Sequence, residues 1–312
     1  MPPILYLSDI KTRFLIISDT HASPAVVPSS LPAMPVDVAI HCGDLTQDSK
    51  LSEFTSALAL LKAINAPLKL VIPGHHDFTL DDAVYKAKIT KTTTKLGIKL
   101  EEIYKVYGKV GQARQLLEET KEKDGIFLLD EGRHDFALAN GASLSVYASP
   151  YTPSSPDDDD CLGQGQGKGK ENWGFQYTKS DGHVFDIRYT PDVVITHGPP
   201  LGVLDDVTAS SSSTKTSKTR FDNEESVMIE TLAGLDNEES VVIESLAALR
   251  MGMWDSPEVL EEKSVNVKRL REERCCRISH CEGDTLWLKP RKHTLFVNAA
   301  IKPVDEEKRQ FP

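Results

Sequence analysis

The chain has 312 residues, with 36 Lys and Arg against 47 Asp and Glu, a formal net charge of -11 and a pI near 5.3. That balance argues against sequence-independent binding to nucleic acid or to an anionic membrane, each of which needs a basic face. Apolar residues make up 39% and charged residues 27%, enough for a globular core, and no stretch reaches the roughly 18 apolar residues of a membrane span.

The opening MPPILYLSDIKTRFLIIS lacks a basic leader and carries Asp9 and Lys11 inside its apolar stretch, so it reads poorly as a secretion signal. Cys42, Cys161, Cys275, Cys276 and Cys281 form neither a disulfide framework nor a C-x-x-C metal knuckle. The expectation is a soluble cytoplasmic protein with no membrane partner.

In chain order, RFLIIS (residues 13–18) and DVAIHC (37–42) read as buried strands. A helix follows, with Leu51, Phe54, Leu58 and Leu61 on one face, and then the strand LKLVI ending at Ile72. Residues 81–123 read as a charged helical excursion. IFLLD, LSVYASP, WGFQY, DVVITHGPP and TLFVNAA supply further strands or strand ends. Residues 154–172 and 208–220 are low-complexity and read as flexible insertions. Between residues 222 and 249 a 14-residue unit occurs twice, DNEESVMIETLAGL then DNEESVVIESLAAL. Its length is close to four helical turns, so it reads as a duplication lengthening a peripheral helix.

Four polar motifs each sit where an apolar strand ends: ISDTHA, HCGDLT, PGHHDF and ITHGPP. Strand ends of α/β sheets are where ligand sites form, because their loops converge on one crevice. Together these loops carry Asp19, His21, Asp44, His75, His76, Asp77 and His197. Carboxylate oxygen mixed with imidazole nitrogen suits Mn²⁺, Fe or Zn²⁺ rather than the oxygen-only sites of Mg²⁺ and Ca²⁺. Cys42 reads as packing, and His41 and His134 as structural or surface residues. The run Asp157 to Asp160 reads as a solvated loop. There is no G-x-S-x-G elbow and no phosphate-binding G-x-x-x-x-G-K-[ST] loop.

As an ordered set, D-T-H at Asp19 to His21, G-D at Gly43 and Asp44, G-H-H-D at Gly74 to Asp77 and T-H-G-P-P from Thr196 resemble the calcineurin-like metallophosphoesterase superfamily. The stretches ASPYTP, WGFQY and TLFVNAAI resemble the small metallophosphoesterase-domain proteins of fungi and animals. The resemblance implies one domain over residues 10–303, an α/β sandwich of two mixed β-sheets flanked by helices. It implies a phosphoester hydrolase holding two divalent ions, Mn²⁺ or Fe and Zn²⁺. Asp19 and His21 would bind the first ion, Asp44 would bridge, and His75 with His197 would bind the second. His76, oriented by Asp77, would form the catalytic pair near the scissile phosphate, stabilising or protonating the leaving oxygen. The substrate would be a small phosphoester, nucleotides included, with long nucleic acid disfavoured by the acidic balance.

The chain departs from that pattern twice. The residue before the catalytic histidine is His75 where the family has asparagine. The histidine Nδ1 lies as many bonds from Cα as the asparagine Oδ1, so His75 can ligate through Nδ1 as a softer donor. The late G-H-x-H is missing from CCRISHCEGDTLWLKPRKHTLFVNAA, where His280 is followed by Cys281, Glu282 and Gly283. One alternative is therefore a catalytically impaired relative acting as a binding or interaction protein. Another is a translation that has lost a few residues near 275–284.

Overall fold

The computed structural model describes residues 10–23, 34–154, 173–178, 181–187 and 189–198, the backbone of strands at 228–230, 241–244 and 293–298, and the single positions 256, 257, 261, 264 and 265. The apolar runs at the start of the chain become β1 (Phe14–Ile17), β2 (Val38–His41) and β3 (Leu68–Val71). With β4 (Ile126–Leu128) they form a parallel sheet in the order β1-β2-β3-β4. Ile17 pairs with His41, His41 with Val71, and Val71 with Leu128. The first three strands therefore end level with one another, about 4.8 Å apart, and release their polar loops side by side.

Alternation of side chains sends each strand into two cores. Val38, Ile40, Leu68 and Leu70 enter the space between the sheets. Ala39 and Val71 pack on the other side against α1 (Leu51–Ala63). That helix buries Phe54, Leu58 and Leu61, as their spacing predicts, and Glu53 accepts hydrogen bonds from the Lys50 and Asp48 N–H groups at its start. A 3₁₀ turn (Phe78–Leu80) leads into α2 (Asp82–Leu96), capped by the Asp81 carboxylate and ended by Gly97 at φ 66°. Then come α3 (Leu100–Tyr107), α4 (Gln112–Glu118) and α5 (Lys121–Asp124). Residues 81–123 are thus mostly helical, as expected.

The second sheet is mixed. It contains β5 (Gly132–Ala137), β6 (Ser143–Ser149), β9 (Val193–Thr196), β10 (Met228–Glu230), β11 (Val241–Glu244) and β12 (His293–Asn298), in the order β11-β12-β10-β9-β6-β5. Two further short strands, β7 (Thr152–Pro153) and β8 (Gln176–Tyr177), pair in parallel. Leu144, Val146 and Ala148 of β6 and Val193 and Ile195 of β9 close the sandwich core onto β2 and β3. Leu70, Val146 and Ile195 are fully buried, each contributing about 1.5–3 kcal/mol of apolar burial. β5 escapes a reading by apolar runs because GRHDFA is an edge strand whose residues alternate between half-buried and exposed.

One expectation is corrected. The duplicated segment 222–249 does not form a single peripheral helix, since its copies contribute β10 and β11. Each copy holds a β-branched core, VMIE or VVIE, and both lie beside β12, which supplies ladder hydrogen bonds that a lone surface helix would not have. Glu230 and Glu244, equivalent positions of the two copies, both pair with Phe296, from opposite sides. The expected insertions at 154–172, apart from Ser154, and 208–220, and the region around His280 and Cys281, lie outside the described residues. No described helix is long and apolar enough to cross a membrane.

Candidate metal centre

The loop after β2, from Cys42 to Gln47, is the hub on which the other loops are hung. The loop after β1 continues the parallel ladder along it: the Asp19 N–H donates to the Gly43 carbonyl (3.0 Å), His21 to Asp44 (3.1 Å) and Ala22 to Leu45 (2.6 Å). These bonds hold Asp19, His21 and Asp44 at φ 51°, 45° and 54°. That left-handed backbone costs non-glycine residues roughly 1–3 kcal/mol each and clusters at functional sites. Two glycines permit the crowding. A Cβ on Gly43, itself at φ 110°, would stand 2.4 Å from the His197 ring, and one on Gly74 would stand 2.0 Å from Asp44 Oδ1.

Asp77 bolts the loop after β3 to the hub. Its carboxylate is fully buried and accepts from Leu45 N–H (3.1 Å), Thr46 N–H (2.9 Å), the Thr46 hydroxyl (2.7 Å) and Gly74 N–H (2.9 Å). Burial pushes its carboxyl above the usual carboxylate range, and these four donors offset part of that rise. Both oxygens face donors, so geometry decides for the ionised form: a proton on either oxygen would meet an N–H or O–H.

Three imidazoles obey one rule. His21 Nδ1 lies 3.1 Å from the Thr46 carbonyl, His76 Nδ1 2.6 Å from the Gln47 carbonyl, and His197 Nδ1 3.0 Å from the Cys42 carbonyl. A carbonyl only accepts, so each Nδ1 carries the hydrogen and each Nε2 keeps its lone pair. Metal-binding histidines are oriented in this way, through a second nitrogen tied to a carbonyl. All three carbonyls belong to the hub loop that also carries Asp44. His75 is the exception, presenting Nδ1 to His197 Nε2 (3.1 Å) and to Asp44 Oδ2 (3.6 Å).

Among the described residues, two sets of ligand atoms result, each mutually within 4.8 Å: His21, Asp44 and His76, and Asp44, His75 and His197. Asp44 belongs to both. It is fully buried, and its Oδ1 accepts the His76 N–H (2.9 Å) and lies 3.4 Å from His197 Nε2. Three imidazoles with bare Nε2 atoms and the His75 ring, around one shared carboxylate, fit divalent cations. The sequence profile of a known family, described as calcineurin-like phosphoesterase, matches residues 12–211. The chain belongs to the calcineurin-like phosphoesterase family.

The chain is 26% identical over 202 residues to metallophosphoesterase domain-containing protein 1 of Homo sapiens, covering 62% of this chain and 50% of that protein, and it matches the Mus musculus protein equally. It is 28% identical over 199 residues to probable rhamnogalacturonate lyase C of Emericella nidulans, covering 64% of this chain and 15% of that protein. The chain spans half or less of the length of these curated relatives. Membership of the calcineurin-like phosphoesterase family accounts for the α/β sandwich and for the His and Asp ligand groups.

Within that family frame, two of the expected site residues make other contacts. Neither ligand set includes Asp19, which is buried in the same loop pair beside Cys42 and pushes the Cys42 thiol up, after burial. Asp77 orients the loop rather than the His76 ring, because its oxygens are taken by four other donors and the Gln47 carbonyl holds His76. No sequence signal singles out Trp173, although WGFQY reads as strand. Its indole meets His76 at 4.3 Å and His75 edge-on at 5.5 Å, and the Gly174 N–H donates to the His75 carbonyl (2.9 Å). Lys88 stands over Phe78 (4.4 Å) and Trp173 (5.6 Å), placing a cation against this wall. The orienting carbonyls were also invisible, since backbone groups carry no residue code. Cys42 is buried packing, as expected, and His134 is half-buried on β5 with its Nε2 2.9 Å from the Asp130 carbonyl.

His41 is structural, as expected. Its Nδ1 accepts from Gly43 N–H (3.3 Å), so Nε2–H donates to the Thr20 hydroxyl (2.9 Å). Burial, then the charges of His197 and His21, push it down to about 3. A histidine lowered in the folded state contributes stability that is complete above its unfolded value of about 6.5 and is lost as pH falls toward 3. In that window the unfolded chain binds one more proton at this position. Stability should therefore fall by about 1.4 kcal/mol per pH unit from His41 alone. Urea unfolding of wild type and His41→Gln between pH 4 and 7 checks this, and equal pH slopes in the two proteins would refute it.

Proposed function

We propose that the chain is a metal-dependent phosphoester hydrolase with a dinuclear centre, working in the cytoplasm on a small phosphoester such as an aryl or nucleotide ester. The observation that carries this reading is the sharing of Asp44 between two three-residue ligand sets. Asp44, with His21 on one side and His75 and His197 on the other, would hold the ions, while His76 would keep its Nε2 for proton transfer. Divalent ions bound there supply Lewis acidity toward phosphoryl oxygen and lower the pKa of a water to near neutrality. The cytoplasmic assignment rests on the scattered cysteines and the buried, free Cys42.

The protein's own part is positioning and proton transfer. The Gln47 carbonyl fixes the His76 ring so that Nε2 faces the centre, where it can carry a proton to a departing alkoxide. Trp173 covers the two adjacent histidines and limits water on that side. A second reading is favoured by one specific feature, the missing G-H-x-H: a metal-binding relative that recognises its ligand without turning it over.

Hydrolysis of bis(4-nitrophenyl) phosphate by purified protein reconstituted with Mn²⁺ or Zn²⁺ separates the two. Turnover is expected, reduced about 10²–10⁴-fold in His76→Ala, as for the loss of a general acid. Folded, metal-loaded wild type without turnover would select the binding reading. Undiminished turnover in His76→Ala would remove His76 from the chemistry.

A further inference from the structure

We propose that the half-site of Asp44, His75 and His197 is a nitrogen-rich cation site that selects Zn²⁺, or a similarly borderline ion, over Mn²⁺ and Mg²⁺, and that His75 sets this preference. The inference deepens the metal-binding reading above and rests on it.

Geometry comes first. His75 Nδ1 lies 3.1 Å from His197 Nε2 and 3.6 Å from Asp44 Oδ2, and His197 Nε2 lies 3.4 Å from Asp44 Oδ1. Two ring nitrogens 3.1 Å apart, each about 2.1 Å from one ion, would subtend roughly 95° at it, so one ion can meet both while Asp44 offers an oxygen to each ring. Donor type points to the ion. Two imidazoles and one carboxylate is the donor count of catalytic zinc sites. Imidazole favours Zn²⁺, Fe and Cu²⁺, whereas carboxylate, carbonyl and water favour Mn²⁺ and Mg²⁺. An asparagine at position 75 would present an oxygen; His75 presents a nitrogen at the same reach.

The tautomers supply an independent handle. His197 gives its Nδ1–H to the Cys42 carbonyl, so its Nε2 is bare. The 3.1 Å contact then places the hydrogen on His75 Nδ1, on the side that must face the ion. Cation entry requires that hydrogen to move to His75 Nε2, on a side chain that retains 18% exposure. His21, His76 and His197 already present bare Nε2 atoms and need no such change. Seating a cation in this half-site should therefore leave one spectroscopic mark, a tautomer switch confined to His75.

The test is competitive equilibrium dialysis of metal-free wild type and His75→Asn against equimolar Zn²⁺ and Mn²⁺, with metal analysis of the retained protein. Wild type should retain Zn²⁺ preferentially, and the ratio should fall about tenfold or more in His75→Asn, since changing a donor atom should matter at least as much as losing its outer support. An unchanged ratio in folded His75→Asn would overturn the proposal. Long-range ¹H–¹⁵N correlation on wild type titrated with Zn²⁺ does not depend on the variant folding. The His75 pattern should switch from Nδ1–H to Nε2–H, and Zn²⁺ binding without that switch would also overturn the proposal. If wild type binds no divalent ion, this inference and the hydrolase reading fall together. If it binds ions without discrimination and hydrolyses the diester, only this inference falls.

Discussion

Asp44→Asn is expected to empty both halves of the centre while leaving the metal-free fold as stable as wild type, or more so. The carboxylate is fully buried, shared by both ligand sets, and within 3.4–4.0 Å of ring nitrogens of His197, His75 and His76. Asparagine keeps its shape and can keep the Oδ1 bond from the His76 N–H. It removes the charge that the cations need and that the metal-free interior tolerates poorly, because an ionised group taken out of water loses its hydration. Metal analysis should show both equivalents lost, and thermal melts should show a metal-free Tm no lower than that of wild type. Diester turnover should drop by at least about 1,000-fold, because the Lewis-acid contribution is worth several kcal/mol. Retention of one full equivalent of metal would show that one half-site stands without Asp44 and that the ion pair is not built around it.

Asp77→Ala should have the opposite signature, with stability lost first and metal binding lost as a consequence. Its two oxygens take four donors from two loops, and alanine would strand the buried N–H groups of Leu45, Thr46 and Gly74. At about 1–3 kcal/mol per buried donor left without an acceptor, the loss should be on the order of 4 kcal/mol. Asp77→Asn should rescue little, since its NH₂ must face a donor on one side whichever way it is turned. Urea unfolding of both variants measures this. A loss below about 1 kcal/mol with intact metal binding would mean that the loops hold together without the carboxylate.

These two aspartates show how far residue type and spacing can be read. Asp44 in G-D and His197 in T-H-G-P-P each follow an apolar run, so their place at a strand end was legible, and so was their convergence. Asp77 was equally visible as a carboxylate, but its partners were not. Its motif suggests a side-chain partner, His76, whereas the folded chain uses it for backbone N–H groups more than thirty residues earlier. The same holds for Thr46, Gln47 and Cys42, which act through their carbonyls. The duplicated segment failed for a different reason. Fourteen residues suit a helical repeat as well as a repeated strand and turn, and the choice was settled by β12 and β9, whose hydrogen bonds lie far away in sequence.

What the sequence by itself determined was the inventory and its order: four strand ends carrying carboxylates and imidazoles, a helical excursion, and a histidine where the family has asparagine. Period-2 and 3.6-residue patterns are local, so they survive reading one residue at a time. What only the tertiary structure decided was which nitrogen each histidine presents, which carboxylate is shared, and which one holds the loops. Those depend on contacts between side chains and distant backbone groups, and their geometry exists only after Ile17, His41 and Val71 have come into register.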